Sequence, residues 1–388
     1  MTKVCVIGGK LQGIEALYLA KKAGMETTLI DKSKSPLGKK FCGRFICKDV
    51  LQYNTDLVNI LEEADFVLPA LEEPEVLAVL KEISEKYDVN LVYDSHAYGI
   101  SSSKQISDRL MHEKGLPCPR YYPEGHFPYI AKPSVSSCSE GVTKIYTEDA
   151  LKEFFRHENI DTWIVEEYLS GPSYSLEVIG TPGRYHTYHV TELLMDPEYD
   201  CKTVLSRPDF PAELKDQLEQ ETLALAEMVN LHGIMDVEVI ETDGILRILE
   251  IDARIPSQTP ITVYHATGWN MMTEMAVCFG KNPPQSSELW SQEKYVSLEQ
   301  ILVEGCTVRV LGEHIMGKAS MLEHKYDFCG ADEALTDYAP GKENWAATLI
   351  CVAETKEDLA AKRGKIPASV EKLIGRDIKF FDEYPAEI

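Results

Sequence analysis

The chain reads as a multidomain protein in which an α/β unit is followed by α+β structure. Three observations predict this. The 388 residues exceed the size of one ordinary domain. The first ninety or so alternate short apolar β-type runs with amphipathic helical stretches. The middle region instead sets helices beside hairpin patterns, and a proline-containing segment separates it from a smaller α+β end. The expected divisions are 1–93, 94–284 and 285–388.

Residues 4–7 form an apolar strand, followed by Gly8-Gly9-Lys10-Leu11-Gln12-Gly13 and a helix carrying Ile14, Leu17 and Tyr18 that ends at Gly24. A second strand at 25–30 ends on Asp31. Helices at 57–63 and 75–87, with strands at 66–70 and 89–93, complete a doubly wound unit. From Ser101 the pattern changes to a helix at 104–114, a strand at 129–132, a serine-rich loop at 134–141, a helix at 148–157 and a strand at 163–168. The turn Gly171-Pro172 leads into a strand at 174–179. A helix at 213–231 precedes a hairpin, 235–241 and 245–251, around Thr242-Asp243-Gly244, and a helix at 270–279 closes the region. Asn282-Pro283-Pro284 marks the linker, and strands at 307–311 and 347–353 lie beyond it.

The net charge of −24 repels phosphate backbones and anionic lipid, which argues against nucleic-acid and membrane partners and suits cationic or metal–nucleotide ligands. The ten cysteines are scattered, and no leader or long apolar run is visible, so a cytoplasmic protein with reduced thiols is expected. A dinucleotide fingerprint needs glycine where Lys10 stands, and no Gly-Lys-Ser/Thr follows, so a nicotinamide-dependent dehydrogenase is disfavoured. A tight turn that needs glycine is the plainer reading. Lys10, Leu11 and Gln12, at a helix N-terminus, are candidates to meet a substrate carboxylate.

The strongest signal is Asp236-Val-Glu238, followed by Glu250-Ile-Asp252-Ala-Arg254. Side chains alternate along a strand, so Glu250 and Asp252 share a face, and Arg254 follows if the extended run persists. A three-residue loop at 242–244 would place Glu238 diagonal to Glu250 on that face, whereas a two-residue turn would send it to the other side. Carboxylates gathered on one face repel unless cations lie between them, and hard oxygen donors suit Mg²⁺. Lys132 ends an apolar strand and leads into small hydroxyl residues, a pattern suited to clamping phosphate.

In order and spacing, Lys104, Lys132-Pro133 with its small-residue loop, Glu166-Glu167-Tyr168-Leu169-x-Gly171, and Glu238…Glu250-x-Asp252-x-Arg254 resemble the ATP-grasp superfamily over residues 1 to about 280. The run from Gly8 to Ala16 and the run from Glu250 to Pro260 are similar, more narrowly, to the ligases of pyrrolysine biosynthesis that join (3R)-3-methyl-D-ornithine to the ε-amine of L-lysine. The resemblance implies a Rossmann-like pre-ATP-grasp domain, an ATP-grasp domain and a small C-terminal α+β domain. It implies ATP held by Lys104, Lys132, Ser137, Ser139, Glu166, Glu167 and Leu169. Two Mg²⁺, replaceable by Mn²⁺, would sit on Glu238, Glu250 and Asp252, and Arg254 with Lys132 would stabilise the transferred phosphate. For the amino-acid substrates, 3-methyl-D-ornithine or D-ornithine and L-lysine, Glu72, Glu177 and Asp236 are candidates for amines, and Ser257 and Thr259 for carboxylates. A homodimer is usual in the superfamily. Ser136 and Cys138 stand where glycines are common, and Ser173 where many members carry a ribose-binding Glu. Another ATP-grasp ligase or carboxylase, or a non-catalytic nucleotide-binding module, are the competing readings.

Overall fold

The computed structural model describes residues 1–134, 141–159 and 162–385. Its first unit comprises β1 (Lys3–Ile7), α1 (Leu11–Lys22), β2 (Glu26–Asp31), β3 (Arg44–Cys47), α2 (Thr55–Glu62), β4 (Phe66–Pro69) and α3 (Pro74–Lys86). The strands are parallel in the order β3-β2-β1-β4. Val4, Val6, Leu29 and Leu68 are fully buried, as strands covered on both faces require. The glycine run exists for close approach. A Cβ on Gly13 would lie 2.1 Å from the Gly8 carbonyl oxygen, so α1 packs against the β1 turn only without a side chain. Asp31 Oδ2 accepts the Gly9 amide at 2.8 Å, so the acid ending β2 serves the turn itself.

The strand expected at 89–93 does not form. That segment meets β4 through an isolated bridge, Val67 to Leu91. The Asn90 side chain donates to the carbonyls of Asp65 and Phe279, and Asp94 caps the next helix through the amides of His96 and Ala97. The chain therefore leaves the sheet at once for α4 (Ser95–Ser101), a helix whose sequence signal was that Asp94 cap.

Next come α5 (Lys104–Glu113), β5 (Tyr129–Pro133), β6 (Thr143–Ile145), α6 (Glu148–His157) and β7 (Trp163–Glu167), with a small sheet in the order β6-β5-β7. They are followed by β8 (Ser173–Thr181), β9 (Arg184–Thr187), β10 (Thr191–Met195), β11 (Cys201–Ser206), α7 (Ala212–Met228), β12 (Gly233–Thr242), β13 (Ile245–Asp252), α8 (Thr259–Thr267) and α9 (Met271–Phe279). The last elements are β14 (Tyr295–Glu304), β15 (Thr307–Val310), β16 (Glu323–Phe328), β17 (Ala331–Thr336), β18 (Asn344–Ala353), α10 (Lys356–Arg363), α11 (Ile366–Ile374) and β19 (Lys379–Phe381). One large sheet runs β13-β12-β8-β10-β11-β14-β18-β17-β16, so the strands beyond the proline segment extend the same sheet as the hairpin. Alternation divides its middle cleanly. Leu176, Val178, Met235, Val237 and Ile251 bury one face against Leu218, Leu225 and Ala226 of α7, which leaves the polar residues of β8, β12 and β13 to the other.

Candidate active site

The polar face carries two cross-strand rows. Ser175, Glu238 and Glu250 stand directly opposite one another on β8, β12 and β13, and Glu177, Asp236 and Asp252 form the adjacent row. Residues opposite in a ladder share a face, so five carboxylates converge. The route to this arrangement corrects the sequence reading. Asp243 (φ 56°) and Gly244 (φ 74°) make a two-residue turn, with Thr242 paired to Ile245. Such a turn should have sent Glu238 away from Glu250. Instead a bulge between Glu238 and Val239 inserts Leu249 as an extra residue and restores the shared face.

Lys104, in the first turn of α5, forms an ion pair with Glu250. Lys132, near the end of β5, has its Nζ 2.8 Å from Glu166 Oε1 and 3.7 Å from Asp108 Oδ2. Burial opposes the charge of Lys132, but these carboxylates outweigh it and hold the ammonium firmly protonated. The Glu166 side chain is largely buried against this lysine at the wall of the cleft. Glu167 turns its side chain to Arg120, with Nη2 to Oε2 at 2.9 Å, and its amide donates to the Arg120 carbonyl. The Leu169 amide has no hydrogen-bond partner among the described residues.

Arg254 follows the end of β13 and joins three segments. Its Nη2 donates to Asp252 Oδ2 at 2.8 Å, and its Nε forms an ion pair with Glu72 Oε1 at 2.7 Å, while that carboxylate oxygen accepts a hydrogen bond from Gln12 Nε2 at 2.6 Å. Lys10, Leu11, Gln12, Glu72, Ser257 and Thr259 thus border the same cleft as Lys104, Lys132, Asp236 and Glu238, a space of about 1440 Å³. Glu177 lies beneath the surface of that cleft, fully buried, and neither of its oxygens has a hydrogen-bond partner among the described residues. Burial lifts its pKa to about 7, tempered by the Thr259 hydroxyl beside it. Burial and the neighbouring Glu250 and Asp252 raise Glu238 to about 8. Burial and Asp252 likewise push Asp236 well above the usual carboxylate range. Ser137 and Ser139 lie outside the described residues.

Residues that sequence reasoning did not select also reach the site. Asp108, from α5, shares Lys132 with Glu166. Glu313, beyond β15, accepts from Ser257 Oγ at 2.6 Å and from Gln258 Nε2 at 3.1 Å. Asp108 had a local signal, one helical turn after Lys104 on the same face. Glu313 had none, because only folding brings residues 257 and 313 together.

A family model described as an ATP-grasp domain matches residues 101–258. The 3-methyl-D-ornithine–L-lysine ligase of Methanosarcina acetivorans is 34% identical over 86% of this chain and 88% of its own length. That of Methanosarcina barkeri is 33% identical over 94% of this chain and 96% of its own. The chain belongs to the 3-methyl-D-ornithine–L-lysine ligase family. Among solved structures, an ADP complex of N5-carboxyaminoimidazole ribonucleotide synthetase superposes with a TM-score of 0.70 at 16% identity, covering 96% of this chain and 97% of that one, which establishes the ATP-grasp fold.

ATP-grasp ligases use ATP with Mg²⁺. The donor set here suits that ion. Glu238, Glu250 and Asp252 are hard oxygen donors on one face, and a cation between them would offset both the burial and the carboxylate repulsion that raise Glu238. An ADP-forming carboxylate–amine ligase is therefore what the family and the fold support.

Proposed function

We propose that this chain joins the carboxylate of (3R)-3-methyl-D-ornithine to the ε-amine of L-lysine with consumption of ATP, a step of pyrrolysine biosynthesis. The single observation that carries the reading is the identity to the two Methanosarcina ligases over 86–94% of the chain. The carboxylate rows and the Lys104, Lys132 and Arg254 cations supply chemistry that fits it. The domain division at 1–93, 94–284 and 285–388, a cytoplasmic location, a homodimer, two Mg²⁺ and tolerance of Mn²⁺ belong to the same proposal.

In the first step a substrate carboxylate oxygen attacks the γ-phosphorus, the bond to the β–γ bridging oxygen breaks, and ADP leaves an acyl phosphate. Phosphoryl transfer is mostly positioning and charge neutralisation. Bound Mg²⁺, held by Glu238, Glu250 and Asp252, would neutralise phosphate oxygens. Lys104 and Lys132 then exchange their present carboxylate partners for phosphate, and Arg254, fixed between Asp252 and Glu72, faces the transferred group. The backbone of Glu167 and Leu169 receives adenine, and Ser137 and Ser139 the phosphates. In the second step the lysine amine, which in water titrates near about 10.4, must lose a proton before its nitrogen attacks the acyl carbon and phosphate departs. Asp236, which borders the cleft, is a candidate to meet a substrate amine, and Glu177, buried beside it in the same carboxylate row with a pKa raised to about 7, is a candidate to take up a proton near neutral pH. Glu72 is a third partner for amines, while Lys10, Leu11, Gln12, Ser257 and Thr259 meet substrate carboxylates.

The test is a mass spectrum after incubation with ATP, Mg²⁺, D-ornithine and L-lysine. A species equal to the two amino acids minus water is the expected product. Its absence at saturating substrate, or its formation equally well with unrelated amine acceptors, refutes the assignment.

A further inference from the structure

Lys202, on β11, has no exposed surface, and a buried ammonium is tolerated only when it is paired. Its partners come from far along the chain. The Asp382 carboxylate pairs with Nζ, the Glu383 carbonyl accepts from it at 2.6 Å, and the Tyr384 ring centroid lies 3.3 Å away. Just before this segment, β19 runs parallel to β15, with Arg309 opposite Phe381, so the chain is delivered from the sheet edge directly to Lys202. Tyr384 and Pro385 then form part of the wall of the large cleft, beside Tyr199, Asp200 and Cys201. The Tyr384 side chain remains half exposed, so the ring borders the cleft rather than filling a core.

Resting on the ligase reading above, we propose that Lys202 is a positioning residue that pins Asp382–Glu383–Tyr384–Pro385 as a wall of the reaction chamber, and that this wall keeps water from the acyl phosphate. The chemistry gives the wall a measurable task. The acyl carbon is attacked either by the amine nitrogen or by a water oxygen. Both routes break the same bond from carbon to the phosphate oxygen and release phosphate, but water returns the free carboxylate and the net reaction becomes ATP hydrolysis. A tie serving only fold stability would not alter the partition between the two nucleophiles.

The experiment counts phosphate released and amide formed in one reaction containing ATP, Mg²⁺, D-ornithine and L-lysine. It uses the full chain, Lys202→Met, Tyr384→Ala and a chain ending at Phe381. The unaltered protein is expected to release about one phosphate per amide, as the acyl-phosphate stoichiometry requires. All three variants should release several-fold more phosphate per amide, with a raised KM for lysine and a phosphate-release kcat within a few-fold of the unaltered protein. One phosphate per amide in the variants overturns the proposal while leaving the ligase reading intact. An unaltered chain that forms no amide overturns that reading and this proposal together. Should Lys202→Met fail to fold, Tyr384→Ala, which removes the half-exposed ring but leaves Lys202 its ties to Asp382 and Glu383, decides the matter alone.

Discussion

Arg254 and Glu238 show how single side chains acquire a role from what surrounds them. Arg254 reaches Asp252 with one arm of its guanidinium and Glu72 with another, a geometry that a lysine cannot copy. Arg254→Ala should lower kcat for phosphate release by about 10²–10³-fold, as removal of a transition-state charge partner does elsewhere, with Arg254→Lys falling between. Steady-state kinetics check this, and an unchanged kcat in the alanine variant would remove Arg254 from the mechanism. Glu238→Gln should raise the Mg²⁺ concentration needed for half-maximal rate by at least about 10-fold, since metal sites weaken by that order when a partner is lost. A Mg²⁺ titration indistinguishable from that of the unaltered protein would mean that the carboxylates meet no ion. The types and spacing of these residues were legible in the sequence. The link from Arg254 to Glu72 was not, because it depends on the first unit folding back over the end of β13.

At the scale of elements, the β12–β13 hairpin and the turn before β8 hold the carboxylates in register. Gly171 lies where a Cβ would come within 1.8 Å of the Glu241 carbonyl oxygen, a backbone atom that cannot step aside. Gly244 instead has open space around it and only its positive φ of 74° to accommodate. Gly244→Ala should therefore cost about 1 kcal/mol, the ordinary penalty of a left-handed alanine. Gly171→Ala should cost about 3 kcal/mol, at the upper end of overpacking effects, and it should also weaken ATP binding by moving Glu167 and Leu169. Urea unfolding and nucleotide titration separate the two. Equal costs would show that the β7–β8 turn yields freely. Strand alternation in this hairpin was readable, and so was the polar face. The bulge at Leu249 was not, because an extra residue in a ladder is placed by packing on both faces rather than by the local alternation.

Across the whole molecule, one buried cluster ties the three regions together. Tyr18 Oη donates to Glu333 Oε2 at 2.7 Å and meets His265 Nε2 at 2.7 Å, while Lys22 Nζ and His324 Nε2 also bind Glu333. Burial holds His265 down to a pKa of about 4, although Glu333 works the other way. Burial alone would raise Glu333, but His324, Lys22 and Tyr18 bring it to about 2. An unfolded histidine titrates near 6.5 and an unfolded glutamate near 4.3. Between pH 6.5 and 4 the unfolded chain thus binds a proton that folded His265 refuses, and stability falls on acidification; Glu333 adds a second loss between about 4.3 and 2. The first window should approach about 1.4 kcal/mol per pH unit and should flatten in His265→Gln. Urea midpoints at pH 7 and pH 4.5 test this, and identical pH dependence in both proteins would show that His265 is solvated when folded. No helix among the described residues is long and apolar enough to cross a membrane.

Local chemistry, written in the order of residues, pointed to most strands and helices of the first unit, the glycine turn after β1, and the alternation along β13 that puts Glu250 and Asp252 on one face. Each depends on neighbours within a few positions, where periodicity and backbone sterics act directly. Tertiary structure alone decided that a bulge returns Glu238 to the side of Glu250, that Glu72 and Glu313 arrive from distant segments, and that β14 continues the sheet begun by the hairpin. Those outcomes are contacts between residues tens to hundreds of positions apart, chosen by which buried faces and charges can be satisfied together, and no short stretch of sequence encodes them.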